Sequence, residues 1–229
     1  MLSGVTKRET TALSRVGTSL LDLALPEDCA GCGAPGEACC RPCRAAFDVP
    51  RPVASCGPTY SLARHAGVAR ALVVAHKERG RRGLTRPLGR ALAAAVPHLP
   101  AARPDATGTW WLVPAPSRPS AARARGGSHV LALARACAAA LSEAELPAAV
   151  APALRLTMGA RDAVGLDRVQ RRANLAGRLR IRATGAPPPG VPVVLLDDVV
   201  TTGATLAASR AALREAGIEP CAALTLTAA

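Results

Sequence analysis

The run Val191-Pro-Val-Val-Leu-Leu196 is unbroken in its apolar character, the pattern of a buried strand. Two acids, Asp197 and Asp198, close it, and Val199-Val200 leads to the hydroxyl-rich stretch Thr201-Thr202-Gly203-Ala204-Thr205, a turn that opens a helix. From Leu206 to Ala216 apolar residues recur at helical spacing, and Gly217 supplies the stop. Earlier in the chain Trp110-Trp-Leu-Val113 predicts a strand that runs into a proline-shaped loop, Pro114-Ala-Pro116-Ser117-Arg118. A helix is expected from about His129 to Leu141, and a last strand from Cys221 to Leu226. Between Leu154 and Ile181 the core periodicity almost vanishes and arginines take over.

Strands alternating with helices predict an α/β fold with a mainly parallel sheet. Apolar residues make up 49% of the chain but aromatic ones only 2%, so Ala, Leu and Val must build the core, a composition that suits helices on a small sheet. The length of 229 residues fits one α/β domain with a small appendage. The expected division is an amino-terminal helical segment over 1–27, a cysteine motif with its linker over 28–59, and the α/β domain over 60–229.

The formal charge of +13 is carried mainly by arginine and favours phosphate-rich partners, either nucleic acid or a polyphosphate metabolite, although codon drift produces the same bias. No run reaches the ~20 apolar residues of a membrane span, and Leu20 to Leu25 is interrupted by Asp22. Nor does a long apolar core with a small-residue cleavage site follow Lys7 and Arg8. A cytoplasmic protein without disulfides is the expectation.

Five of the eight cysteines fall between Cys29 and Cys43. Two Cys-x-x-Cys turns, Cys29 with Cys32 and Cys40 with Cys43, are spaced to bring four thiolates onto one structural Zn²⁺. A redox dithiol and metal-free surface cysteines are the competing readings. The loop between the pairs is so short that the knuckle's order is expected to come from the metal rather than from a core, with Cys39 left over. Gly31-Cys-Gly33-Ala-Pro-Gly36 matches the dinucleotide-binding G-x-G-x-x-G pattern, but no strand precedes it and Pro35 sits inside it. Those glycines are assigned to the metal turn.

The acids and the turn after them carry the most specific chemistry. Backbone amides of Thr202, Gly203, Ala204 and Thr205 at a helix N-terminus can converge on one phosphate, and the hydroxyls of Thr201, Thr202 and Thr205 add donors. Asp197 and Asp198 would repel a phosphate but accept hydrogen bonds from two sugar hydroxyls. A phosphorylated ribose satisfies both halves. No G-x-x-x-x-G-K-[ST] motif occurs, which excludes a Walker loop.

This arrangement resembles the signature of type I phosphoribosyltransferases. The resemblance implies that Asp197 and Asp198 hold the ribose hydroxyls of 5-phosphoribosyl-1-pyrophosphate and that Thr201 to Thr205 hold its 5-phosphate. In related folds the loop after the first core strand takes the pyrophosphate. Arg118, Arg123, Arg125 and Gly126-Gly127 have suitable chemistry for that role, or form a solvated basic loop. The arginine-rich stretch, with Arg161, Arg168, Arg171 and Arg172, reads as a mobile loop closing over the ligand or as an exposed helix.

The order of Cys-x-x-Cys pairs, His76-Lys77-Glu78-Arg79-Gly80, Val113-Pro-Ala-Pro116, Arg125-Gly126 and the Asp-Asp-Val-Val-Thr-Thr-Gly-Ala-Thr signature is similar to that of the ComF family. That family is phosphoribosyltransferase-like and linked to competence and DNA uptake. The resemblance covers about Leu21 to the end and places Lys77 at the ligand. It implies a type I phosphoribosyltransferase fold behind a zinc knuckle. The implied reaction displaces pyrophosphate from C1 of the ribose, with Mg²⁺ on the substrate and Asp197, Asp198, Arg161 and Arg168 as candidate catalytic residues. The alternative is a non-catalytic factor that binds single-stranded DNA or docks DNA-uptake proteins. Where the family often has Arg-Gly-Phe-Asn-Gln, this chain has Arg125-Gly126-Gly127-Ser128-His129, and Ala163 replaces a Gln. These departures fall on the loops around the leaving group and acceptor.

Overall fold

The computed structural model describes residues 28–47, 49–54, 57–117, 127–157 and 178–229. Its centre is a six-stranded sheet in the order β1-β2-β8-β7-β3-β4. The strands are β1 (Arg51–Pro52), β2 (Thr59–Arg64), β3 (Trp110–Pro114), β4 (Ala148–Val150), β7 (Pro192–Val200) and β8 (Glu219–Ala228). Only the short β1 runs antiparallel to its neighbour, and every other pairing is parallel. The protein is thus a mixed α/β structure with a mostly parallel sheet.

Burial on both faces explains why β7 is apolar without alternation. Val194 and Leu196 pack on one side with Leu72, Leu92 and Leu133, from α2 (Gly67–Lys77), α3 (Thr85–Ala95) and α4 (His129–Glu143). Val193 and Leu195 pack on the other with Leu206 and Leu213 of α5 (Ala204–Glu215). An antiparallel ribbon, β5 (Leu154–Leu156) with β6 (Leu179–Ile181), adds Leu154, Leu156 and Leu179 to that second core. The ribbon has no counterpart in the sequence expectation, because three-residue strands are too short to show a period. The arginine-rich interior between its strands, with Arg161, Arg168, Arg171 and Arg172, lies outside the described residues, as do the amino-terminal segment and Ala163.

Two further expectations are corrected. Strand β7 does not end before the acids but carries them, since pairing with β8 continues through Asp197 with Thr225 and Val199 with Thr227 to Val200 with Ala228. The cysteine knuckle, which contains the four-residue α1 (Arg41–Arg44), also has more than a metal to order it. Cys29, Ala38, Cys39 and Cys43 are buried in the same apolar cluster as Leu62, Leu72 and Leu224. Among the described residues no helix is long and apolar enough to cross a membrane.

Helices α3 and α4 meet at Gly89, where an added Cβ would lie 2.4 Å from the Cβ of Ala136. The α-helical backbone there would accept alanine, so the glycine is required by the close approach of the two helices. Gly89→Ala is expected to lower stability by about 1–3 kcal/mol through overpacking. Denaturant unfolding checks this, and a variant as stable as the parent would refute the close approach.

Candidate functional site

The loops after parallel strands open on one edge of the sheet, and there the carboxyl end of β7 presents the two acids. Successive residues of a strand face opposite ways, so Asp198 shares its face with Leu196 and Asp197 shares its face with Leu195. Asp198 is 4% exposed and held from three sides. Its Oδ2 accepts from Lys77 Nζ at 2.9 Å and from His129 Nε2 at 3.0 Å, while Oδ1 accepts from the Val199 amide at 2.9 Å. Asp197 Oδ1 accepts from the Asp198 amide at 2.9 Å.

These surroundings drive the two carboxyls apart. Burial works to raise Asp198, but the His129 hydrogen bond and the Lys77 charge outweigh it and hold this acid below the ordinary carboxylate range. Burial, and then the neighbouring Asp198 charge, push Asp197 well above it. The pair therefore combines a fixed anion with a second carboxyl that is reluctant to ionise.

After Val200 the chain turns through Thr201 to Gly203, which caps α5 at φ 70° and ψ 5°. That left-handed conformation suits glycine and lets the helix start abruptly beneath the acids. The Ala204 amide points to Thr202 Oγ1 at a loose 3.4 Å. Thr201 and Thr205 line a cleft of about 610 Å³ together with Asp197, Asp198, Lys77 and His129. The cleft thus gathers the acids, the turn and Lys77. Arg118, Arg123, Arg125 and Gly126, and with them the expected pyrophosphate loop, lie outside the described residues, as do Arg161 and Arg168.

Three histidines were not picked out from the sequence. His129 binds Asp198 directly, and His65, also on the cleft, bonds through Nδ1 to Thr227 Oγ1 at 2.8 Å. His76 lies behind, its ring 6.2 Å from that of His129 and its Nε2 3.1 Å from Thr85 Oγ1. A signal existed for His129, since it stands where the resembling family often has Gln. Both side chains can donate to a carboxylate. Of the two tryptophans, Trp110 is buried, and Trp111 Nε1 donates to Asp105 Oδ2 at 2.8 Å.

Burial, helped by His129, brings His76 down to about 4. Its folded value is below the unfolded one near ~6.5, so its contribution to stability is present above that value and is lost as pH falls toward 4. Unfolding free energy should decline over that interval, and less steeply in His76→Gln. Identical slopes for the two proteins would exclude His76 as a source of acid sensitivity.

The sulfurs of Cys29, Cys32, Cys40 and Cys43 all lie within 4.8 Å of one another, with Cys32 and Cys40 at 3.6 Å. A zinc–sulfur bond of about 2.3 Å in a tetrahedron separates sulfurs by roughly 3.8 Å, so these residues fit one Zn²⁺. The Cys29 sulfur also accepts the Cys40 amide at 3.4 Å. Burial works to raise this thiol, but amides of Cys40, Cys32 and Gly31 bring it down to about 6, whereas burial and the adjoining thiols raise Cys43. One thiolate is ready, and a cation offsets the cost of forming the others. A Cβ on Gly31 would meet Cys43 Sγ at 2.9 Å, so the glycine lets the two turns close on each other. Cys39 faces the core instead, and burial raises its thiol to about 11.

No protein-family model matches this chain, and no curated protein matches it. Among solved structures, that of Leishmania donovani UMP synthase is similar over 97% of this chain and 36% of its own length, at 15% identity and a TM-score of 0.36. The chain therefore spans little more than a third of that protein, and so weak a likeness leaves the description of this chain at a mixed α/β structure with a mostly parallel sheet and a four-cysteine cluster suited to a metal such as zinc.

Proposed function

We propose that this cleft binds 5-phosphoribosyl-1-pyrophosphate with Mg²⁺, and that the protein is a ComF-family phosphoribosyltransferase of the type I fold with a zinc-bound knuckle. The observation that carries this reading is the sharing of one cleft by Asp197, Asp198, Thr201 and Thr205 at the end of β7. A sugar with adjacent hydroxyls and a phosphate a few ångströms away answers both halves of that surface.

In this reading the 5-phosphate sits on the start of α5, where Thr201, Thr202, Gly203, Ala204 and Thr205 supply donors and the helix dipole favours an anion. Asp197 accepts from a ribose hydroxyl. Asp198, whose Oδ2 already serves Lys77 and His129, acts as a fixed negative charge facing the ring. An oxocarbenium-like carbon develops positive charge, and a preoriented carboxylate stabilises it without reorganisation. Carboxylate and hydroxyl oxygens are donors that Mg²⁺ accepts, and the ion, carried on the substrate, would offset the charge of its pyrophosphate. Arg118, Arg125, Gly126, Arg161 and Arg168 are assigned to that leaving group, and Lys77 serves both Asp198 and the ligand. The proposed division of labour is 28–59 for the knuckle and linker and 60–229 for the reaction.

A pyrophosphate-release assay across candidate nucleobases tests turnover. Release that depends on one acceptor and is lost in Asp198→Ala is the expected result. No release above the uncatalysed rate with any acceptor would refute the transferase assignment.

A further inference from the structure

In the sheet order β1-β2-β8-β7-β3-β4, the strand that carries the acids stands between two others whose carboxyl ends open on the same edge. On one side β3 leads out through Pro116 and Ser117, which line the cleft and begin the loop assigned to the pyrophosphate. On the other side, across β8, strand β2 ends at Arg64, level with Val200 of β7 because both pair with Ala228. The next residue is His65, which also lines the cleft. The imidazole and the leaving-group loop therefore approach the acids from opposite sides.

His65 is held by one edge of its ring. Nδ1 meets Oγ1 of the fully buried Thr227 at 2.8 Å, and the His65 amide donates to the Ala228 carbonyl at 2.7 Å. Among the described residues Nε2 bonds to nothing and, unlike His129 Nδ1, it is not sealed off from solvent. A hydroxyl can accept from a protonated Nδ1 or donate to a bare one, so Nε2 can gain or lose a proton while the anchor persists. The charges around the ring are Arg70 and Lys77 of α2 and Asp198 of β7. Burial, and then the Arg70 charge, bring His65 below its ordinary value and outweigh Asp198, so the ring is uncharged near neutral pH. The neighbouring groups are committed: Lys77 and His129 Nε2 to Asp198 Oδ2, and Asp198 to both of them.

Resting on the transferase reading above, we propose that His65 is the general base of the reaction, taking through Nε2 the proton of a nucleobase N–H as that nitrogen attacks C1 of the ribose. In this step the nitrogen forms a bond to C1, and the bond from C1 to the pyrophosphate oxygen breaks with its electron pair leaving on the pyrophosphate. The N–H proton passes to His65. Displacement with inversion at a sugar carbon places the base on the face opposite the leaving group, and that is the side from which β2 delivers His65. Two strand spacings, roughly 10 Å, lie between β2 and β7, which the imidazole and one flat acceptor ring can span.

The test is pyrophosphate release by the full chain with 5-phosphoribosyl-1-pyrophosphate, Mg²⁺ and each of adenine, guanine, hypoxanthine, cytosine and uracil in turn, in the parent and in His65→Gln. Glutamine keeps a partner for the Thr227 hydroxyl, so the variant should fold. Its kcat should fall at least about 100-fold, the low end of what a positioned base contributes. Calorimetric affinity for 5-phosphoribosyl-1-pyrophosphate with Mg²⁺ should stay within about twofold, less than one hydrogen bond is worth. The base must be uncharged, so kcat/KM of the parent should decline as pH falls through a value below ~6.5, and His65→Gln should lose that one-proton dependence. A residue that only supported the fold would lower the rate without removing a proton from the profile. A smaller fall in kcat, a larger fall in affinity, an unchanged pH profile, or loss of the proton dependence in Glu78→Gln, the exposed carboxylate on the cleft, instead of in His65→Gln would overturn the proposal and leave the transferase reading standing. No release by the parent with any of the five bases would overturn both.

Discussion

Removing the metal from the knuckle, by chelation or by Cys43→Ser, is expected to lower the thermal midpoint by about 10 °C or more. Structural zinc contributes roughly 10 kcal/mol or more in isolated fingers. Here the apolar contacts of Cys29, Ala38 and Cys43 with the main core carry part of the ordering, so about half of that effect is expected. In a domain of this size each kcal/mol corresponds to about 2–4 °C. Protein purified without chelator should hold one zinc per chain, and Cys39→Ala should keep it, because Cys39 packs in the core while four other sulfurs converge. Elemental analysis without zinc, or metal lost in Cys39→Ala, would exclude the four-cysteine site. An unchanged midpoint in Cys43→Ser would show that the knuckle needs no metal for stability.

The second large effect is an asymmetry between the acids. Each of Asp197→Ala and Asp198→Ala should weaken binding of 5-phosphoribosyl-1-pyrophosphate by roughly 1–3 kcal/mol, about fivefold to 150-fold, the first by removing the acceptor of a ribose hydroxyl and the second by removing the fixed charge that faces the ring. Only Asp198→Ala should also destabilise the fold, by about 1–3 kcal/mol, because it leaves Lys77 Nζ and the buried His129 Nε2 without their acceptor. Lys77 is one-third exposed, and water recovers part of that loss. Asp197 carries a raised carboxyl, so its removal should leave stability unchanged or improved. Calorimetric affinity and denaturant unfolding separate the two roles. Equal affinity in both variants and the parent would sink the sugar assignment.

The parts of the protein that were legible in the sequence are those where one local signal suffices. The apolar run from Val191, the helical spacing after Ala204 and the stop at Gly217 gave β7 and α5 to within a few residues, because burial on both faces or on one stripe leaves a strong periodic trace. The cysteine spacing translated directly into four converging sulfurs. What could not be read depends on contacts between distant segments. Nothing local in Ser128-His129 announces that its imidazole meets Asp198, 69 residues later, on the same oxygen that takes Lys77. The burial of the knuckle against Leu62 and Leu72 is equally non-local, which is why a metal-only account of its order fell short. Parallel pairing of β2 with β8, which sets Thr59 opposite Ala223, is non-local in the same way.

Calorimetric titration of 5-phosphoribosyl-1-pyrophosphate with Mg²⁺ into the full chain tests the central claim most directly. Occupation of one cleft by the acid pair and the Thr201–Thr205 turn predicts one ligand per chain, with affinity reduced in Thr205→Val and in Asp197→Ala. Absence of binding, or binding that is indifferent to both substitutions, would contradict it.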